Sequence, residues 1–211
     1  MKVAIIANGT LNKIDNIKTE IKKYDYIICV DGGIDHAYNM GIIPDLIVGD
    51  LDSASQKSIE HYQQLHVKFE TFPSEKNFTD THLAVNLAIQ KNASAIGMFA
   101  VTGTRMDHFL ANMMLLFSVN SYGVKCKIMD DYNEMFIADN ITVLKKKRGE
   151  FISLISLSEC TKIIKLEGFK YPLENKILYN WETLGISNEI IEKEGKIIKG
   201  DGQLLVIRSC D

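Results

Sequence analysis

Asp31, Asp50, Asp52, Asp80 and Asp107 stand where apolar runs stop or helical periods begin. Asp31 follows Tyr26-Ile27-Ile28-Cys29-Val30, and Asp50 and Asp52 follow Leu46-Ile47-Val48-Gly49. Asp107 comes soon after Ala95-Ile96-Gly97-Met98-Phe99-Ala100-Val101, and Asp80 opens an apolar-periodic stretch. If those runs are parallel strands, their carboxyl ends share one sheet edge, where open α/β sheets bind ligands. Carboxylates converging there repel unless a cation joins them. Hard oxygen donors suit Mg²⁺, which usually arrives with phosphates.

The other chemistry-bearing residues lie in the same places. Asp50-Leu51-Asp52-Ser53 puts two carboxylates two residues apart, on one side of an extended segment. The plainer reading gives Asp52 or Ser53 to capping the next helix. Asn8-Gly9 and Asp31-Gly32-Gly33 are turns whose glycines let backbone N–H groups approach an anion. Lys76-Asn77-Phe78-Thr79-Asp80 joins a cation, a cap and a carboxylate at a helix start. Thr102-Gly103-Thr104-Arg105-Met106-Asp107-His108 offers a planar guanidinium fork and an Asp-His pair. An Asp-His-His phosphoesterase signature is broken by Phe109. Walker and dinucleotide glycine fingerprints are absent.

The elements that position these residues alternate over the first ~125 residues, with continuous apolar runs reading as strands buried on both faces. Strands are expected at 3–7, 26–30, 46–48, 67–71 and 95–101, and helices at 14–23, 34–40, 55–65, 80–91 and 107–119. Gly41 should stop the second helix and Thr79 should cap the fourth. The fifth carries Phe109, Leu110, Met113, Met114, Leu116 and Phe117 over a wide face. This alternation predicts an α/β unit with a mainly parallel sheet over 1–126.

From 127 to 211 the helical period disappears. Short strand-like pieces at 134–138, 141–145, 150–157, 161–166, 176–179, 196–199 and 203–208 predict an all-β sandwich. Residues 120–132 read as the seam. Lys145-Lys146-Lys147-Arg148, just before Gly149, reads as a solvated hairpin end.

Composition narrows the function. A net charge of −3 argues against a nucleic-acid partner, since binding a phosphate backbone needs a strongly basic surface. No apolar run reaches the ~18 residues of a membrane span, and the short stretch after Met1 reads as a strand. Four cysteines without CxxC spacing fit a reducing, cytoplasmic setting.

Taken together, Asp31-Gly32-Gly33, Pro44 through Ser53, Lys76 with Thr79-Asp80, Thr102-Gly103 with Arg105, Asp107, His108 and Asn112, then Gly168 through Leu173 and Ser187-Asn188-Glu189 resemble thiamine pyrophosphokinase. The match covers nearly the whole chain and is specific as a set. It implies a nucleotide-binding catalytic domain over 1–126 and a thiamine-binding sandwich over 127–211. It also implies a homodimer with shared active sites, and Mg²⁺-dependent pyrophosphate transfer from ATP to thiamine, giving thiamine diphosphate and AMP. By that resemblance Asp50, Asp52 and Asp80 are metal residues. Asp52, Asp80, Asp107 and Arg105 are catalytic. Asn8, Asp31, Gly32, Gly33, Lys76, Thr102, Arg105 and His108 meet the nucleotide, and Trp181, Ser187 and Asn188 meet thiamine. Asn77 stands where the family often has Asp, which shifts charge onto the other three. Two alternatives remain at this level: a Mg²⁺-dependent phosphohydrolase, and a silent nucleotide- or thiamine-binding regulator.

Overall fold

The structure, a computed structural model, describes residues 1–72 and 77–210. The chain divides into two units, Met1–Asp131 and Tyr132–Asp211.

In the first unit, strands β1 (Lys2–Ile6), β2 (Tyr26–Val30), β3 (Leu46–Val48), β4 (Lys68–Glu70), β5 (Ala95–Phe99) and β6 (Lys125–Met129) alternate with helices. The helices are α1 (Ile14–Ile21), α2 (Gly33–Met40), α3 (Gln56–Gln64), α4 (Asp80–Gln90) and α5 (Met106–Ser121). Within this unit the strand order is β4-β3-β2-β1-β5-β6, and every pairing is parallel. All six carboxyl ends therefore lie on one edge. The chain lays β2, β3 and β4 outward on one flank of β1, then returns to set β5 on the other, so the winding reverses between β1 and β5. Ile5, Ile6, Ile28, Val48 and Met98 are fully enclosed, which explains the uninterrupted apolar runs.

Local chemistry sets the helix ends. Gly41 closes α2 in the left-handed region at φ 62°. Ser55 caps α3 by accepting from Ser58 N–H, and Thr79 caps α4 by accepting from His82 N–H.

Two features differ from the sequence reading. The expected seam contains β6, a full parallel partner of β5. Lys125 and Lys127 interrupt its apolar signal, and Lys127 is anchored by Glu20 at 3.1 Å. On α5, Asn112, Leu115, Leu116 and Val119 are buried, whereas Met106, Leu110, Met114 and Phe117 are exposed. A helix apolar on most sides gives no periodicity with which to choose the inner face.

The second unit holds β7 (Asn133–Ile137), β8 (Ile141–Lys145), β9 (Glu150–Ser156), β10 (Cys160–Glu167), β11 (Glu174–Tyr179), β12 (Glu194–Lys199) and β13 (Leu204–Cys210). Strands β7-β13-β9 and β11-β10-β12-β8 pair antiparallel. Ile152, Leu154, Leu204 and Val206 from the first group share one core with Leu144, Ile163, Leu166, Leu178 and Ile197 from the second, making a sandwich. Among the described residues no helix is long and apolar enough to cross a membrane.

Candidate active site

A cavity of about 640 Å³ opens where the strand winding reverses, at the carboxyl ends of β1 and β5. Ala7-Asn8-Gly9-Thr10 form one wall and Ala100 to Arg105 another. Asp31, Asp52, Ser53, Thr81, His108 and Asn112 also face it. This is the crevice where doubly wound sheets take their ligands.

The two walls are joined by backbone hydrogen bonds. Ala7 N–H donates to the Phe99 carbonyl at 3.0 Å, Gly9 N–H to Ala100 at 2.6 Å and Thr10 N–H to Thr102 at 2.8 Å. A Cβ on Gly9 would lie 2.1 Å from the Thr102 carbonyl oxygen, so only glycine admits this approach. Asn112 reaches back from α5 and donates to the Val101 carbonyl at 2.9 Å. Asp31, Leu51 and Ala100 all adopt positive φ, at 47°, 64° and 51°. Each such residue costs about 1–3 kcal/mol and persists only where its surroundings enforce it. Asp31 and Ala100 directly follow strand ends and line the cavity, and Leu51 adjoins the lining residue Asp52.

The structure brings together only part of the sequence-derived set. Asn8, Asp31, Asp52, Thr102, Arg105 and His108 line the cavity. Gly32 and Gly33 do not, and they serve packing: a Cβ on Gly32 would meet the Asn8 amide at 2.5 Å, and one on Gly33 the Ile6 carbonyl at 2.2 Å. The amides of Gly9 and Gly32, expected to face an anion, are taken within the chain, the latter by Ser53 Oγ at 3.1 Å. Asp50 is exposed outside the lining and accepts from Asp52 N–H at 3.3 Å. Asp80 is the first residue of α4 and also lies outside the lining. Lys76 lies outside the described residues.

Arg105 and Asp107 meet each other. The guanidinium forks onto the carboxylate with Nε–Oδ1 at 3.0 Å and Nη2–Oδ2 at 2.6 Å. That hydrogen-bonded fork holds the Asp107 carboxyl well below the usual carboxylate range and raises Arg105. A carboxylate so stabilised is a weak proton acceptor. Asp107 is also the second residue of α5 rather than its cap.

The acidic edge is therefore distributed rather than gathered. Asp130 accepts from Thr102 Oγ1 at 3.0 Å. Asp131 accepts from Asn12 and Lys13 N–H at 2.7 and 2.8 Å, satisfying the start of α1. Among the described residues no three Asp, Glu, His or Cys side chains come close enough to hold an ion.

In the second unit, Trp181 is 66% exposed and lies flat on Tyr179, with centroids 4.8 Å apart and planes at 19°. It is not a core tryptophan. Ser187 is exposed at φ 56°, its N–H donated to Ser153 Oγ at 3.0 Å. Asn188 is buried, and its amide clasps the Tyr171 backbone, donating to the carbonyl at 2.7 Å and accepting from N–H at 3.0 Å. Its Oδ1 also accepts from Glu189 N–H at 2.9 Å. One N–H of that amide takes no part in the clasp.

Comparison with known proteins decides what this arrangement belongs to. The family model for the thiamin pyrophosphokinase catalytic domain matches residues 17–128, and that for its vitamin B1 binding domain matches residues 140–205. The chain belongs to the thiamin pyrophosphokinase family. The thiamine pyrophosphokinase of Bacillus subtilis is 33% identical over 211 residues, covering 99% of each chain. A crystal structure of the Bacillus subtilis enzyme superposes with a TM-score of 0.89 at 29% identity, with full coverage of both chains. That of the thiamin pyrophosphokinase from Geobacillus thermodenitrificans gives 0.83 at 29% identity, covering 100% and 98%. The protein is thus a transferase of thiamine diphosphate biosynthesis, with thiamine pyrophosphokinase activity.

Within this thiamin pyrophosphokinase fold, sequence reasoning missed Asp130 and Asp131 because it missed β6. The signal was present, since Ile128-Met129-Asp130-Asp131 repeats the pattern of an apolar run closed by acids. It also left Ser53 as a possible helix cap, whereas Ser55 caps α3 and Ser53 holds the Gly32 amide.

Proposed function

We propose that this thiamine pyrophosphokinase takes its pyrophosphoryl group from ATP, holding the triphosphate in the cavity between the β1 and β5 exits. The observation that carries this reading is the cavity's place and lining. It sits at the winding reversal of a parallel sheet and combines Asn8, Thr102, Arg105 and His108 with the carboxylate of Asp52. The first unit then serves the nucleotide and the second serves thiamine.

The thiamine hydroxyl attacks the β-phosphorus, and AMP leaves in line. Such transfer depends on alignment and on neutralising charge over the phosphate oxygens. Arg105 offers its planar fork and exchanges Asp107 for a phosphate. Asn8 and Thr102 offer neutral donors to the same oxygens. Walls tied across Gly9 and Ala100 keep those donors in place.

The donor set fits a divalent cation arriving with the nucleotide. Mg²⁺ is usually held by one or two carboxylates, with phosphate oxygens and water completing its octahedron. Asp52 at the cavity meets that need, with Asp50 beside it and Asp80 on α4. Bound Mg²⁺ would supply charge neutralisation on the phosphates.

Two copies pairing would complete the sites. Met106, Leu110, Met114 and Phe117 are exposed at helical spacing along α5 and form an apolar stripe suited to a second copy. Sedimentation equilibrium should return twice the 23.8 kDa chain mass, and a monomer at working concentration would remove the dimer from this reading. Four free cysteines, with Cys29 buried and its thiol pushed up by burial, fit a reducing cytoplasm.

The deciding experiment incubates the protein with Mg²⁺, ATP and thiamine. AMP and thiamine diphosphate should appear in equal amounts. ADP or free phosphate formed without thiamine would indicate hydrolysis, and ligand binding without ATP consumption would indicate a silent binder.

A further inference from the structure

We infer that His36, on α2, is a positioning residue for the nucleotide phosphates: it holds the Gly9 carbonyl away from the cavity so that no lone pair faces the polyanion. This rests on the ATP reading of the cavity above.

His36 Nε2 lies 2.8 Å from the Gly9 carbonyl oxygen. A carbonyl only accepts, so Nε2 must carry the proton, in either the neutral ring or the imidazolium. The peptide that follows is planar and trans, so its carbonyl and its Thr10 N–H point in opposite directions. That N–H donates to the Thr102 carbonyl at 2.8 Å. The Gly9–Thr10 peptide plane is thus held at both ends, by His36 on one side and by the β5 exit on the other.

Gly9 and Thr10 line the cavity, and His36 does not. The carbonyl is therefore engaged behind the wall. The preceding amide, Gly9 N–H, is already taken by Ala100 at 2.6 Å. Glycine at position 9 is required by the approach to Thr102, and it is also the residue that resists peptide rotation least. Without His36, the Gly9 carbonyl loses its partner behind the wall and gains freedom to turn inward. A carbonyl dipole aimed at a triphosphate repels it, at the short range where such interactions are least screened.

The site of His36 is well supported. Its neighbour Asp35 accepts from Ser55 N–H at 3.0 Å and from Ser55 Oγ, tying α2 to the cap of α3. Ser53, three residues after Asp50, holds the Gly32 amide at the start of α2. Helix α2 is therefore a fixed frame, from which one imidazole reaches the β1 exit.

The test compares His36→Phe, which keeps a ring but donates nothing, with His36→Gln, whose amide can donate from a similar reach. Thermal midpoints establish that both fold. Expected is a rise of about tenfold in KM for ATP in His36→Phe, with KM for thiamine and kcat within about twofold, and recovery of most of the loss in His36→Gln. Equilibrium binding of ATP should show the same ranking. An unchanged KM for ATP in His36→Phe, or equal losses for ATP and thiamine in both variants, would overturn the inference. Failure of the unaltered enzyme to use ATP at all would instead sink the underlying reading of the cavity.

Discussion

An Asp52→Asn enzyme is expected to lose about 10²–10³-fold in kcat/KM for ATP, while its KM for thiamine stays within about twofold. The substitution keeps shape and removes charge. Asp52 lines the cavity, and among the described residues its carboxylate accepts no hydrogen bond. It is not a helix cap, because Ser55 fills that role for α3. The turn that presents it is fixed by other means, with Gly49 at φ 125°, Leu51 at φ 64° and Asp31 Oδ1 lying where a Gly49 Cβ would be. Stability should therefore change by no more than about 0.5 kcal/mol.

The sign of the binding change carries its own information. A bare carboxylate beside a triphosphate repels it, so in EDTA the asparagine variant should bind ATP at least as tightly as the parent. With Mg²⁺ present the order should reverse, because the carboxylate then faces a cation. Unaltered turnover at saturating Mg²⁺, or a loss of equal size with and without the metal, would show that Asp52 does not serve a cation.

Replacing Trp181 with alanine should raise KM for thiamine by about tenfold and leave KM for ATP unaltered. One face of the indole rests on Tyr179 at 4.8 Å, and with 66% of the residue exposed the ring offers area to a ligand rather than to the core. A flat pyrimidine stacks on such a surface, and a cationic thiazolium is drawn to its π-face. Because the ring is exposed, its removal should lower stability by about 1 kcal/mol or less. The chain has a single tryptophan, so intrinsic fluorescence reports on this position alone. Thiamine should shift that emission saturably, and Trp181→Phe should keep most of the affinity. A flat titration in an enzyme that still turns over would place the indole away from the substrate.

The folded chain gives the sequence-derived residues different surroundings. Residues named by their position after a strand, such as Asn8, Asp31, Asp52 and Thr102, do meet at one cavity. Parallel pairing brings those strand exits to one edge, although Asp50, beyond the same β3 exit as Asp52, lies outside the lining. Other residues of the set have their polar groups engaged within the chain. Arg105, read as a guanidinium fork, lines the same cavity and pairs with Asp107, one of the acids the resemblance makes catalytic. Gly32 and Gly33, chosen for their amides, are instead small enough to let α2 approach Asn8 and the Ile6 carbonyl. Asn188, chosen as a thiamine contact, folds its own amide onto Tyr171. A residue's type tells what it can do, and only its neighbours decide which of those capacities is already taken.

Local order was legible because it depends on near neighbours along the chain. Apolar runs marked β2 and β3 at their observed ends, Gly41 stopped α2 in the left-handed region, and Thr79 capped α4. The change from a helical to an alternating pattern separated an α/β unit from an all-β one. Strand order was beyond the reach of such patterns, since any of several orders buries the same side chains. It took the folded chain to set β1 beside β5, and that pairing alone puts the Asn8-Gly9 turn against Thr102 and opens the cavity between them. The same holds for the aspartates. Their place in the chain put them on one edge, where Arg105 takes Asp107 from two residues away, while Asp130 is held by Thr102 and Asp131 by the start of α1, groups that come near only through tertiary packing.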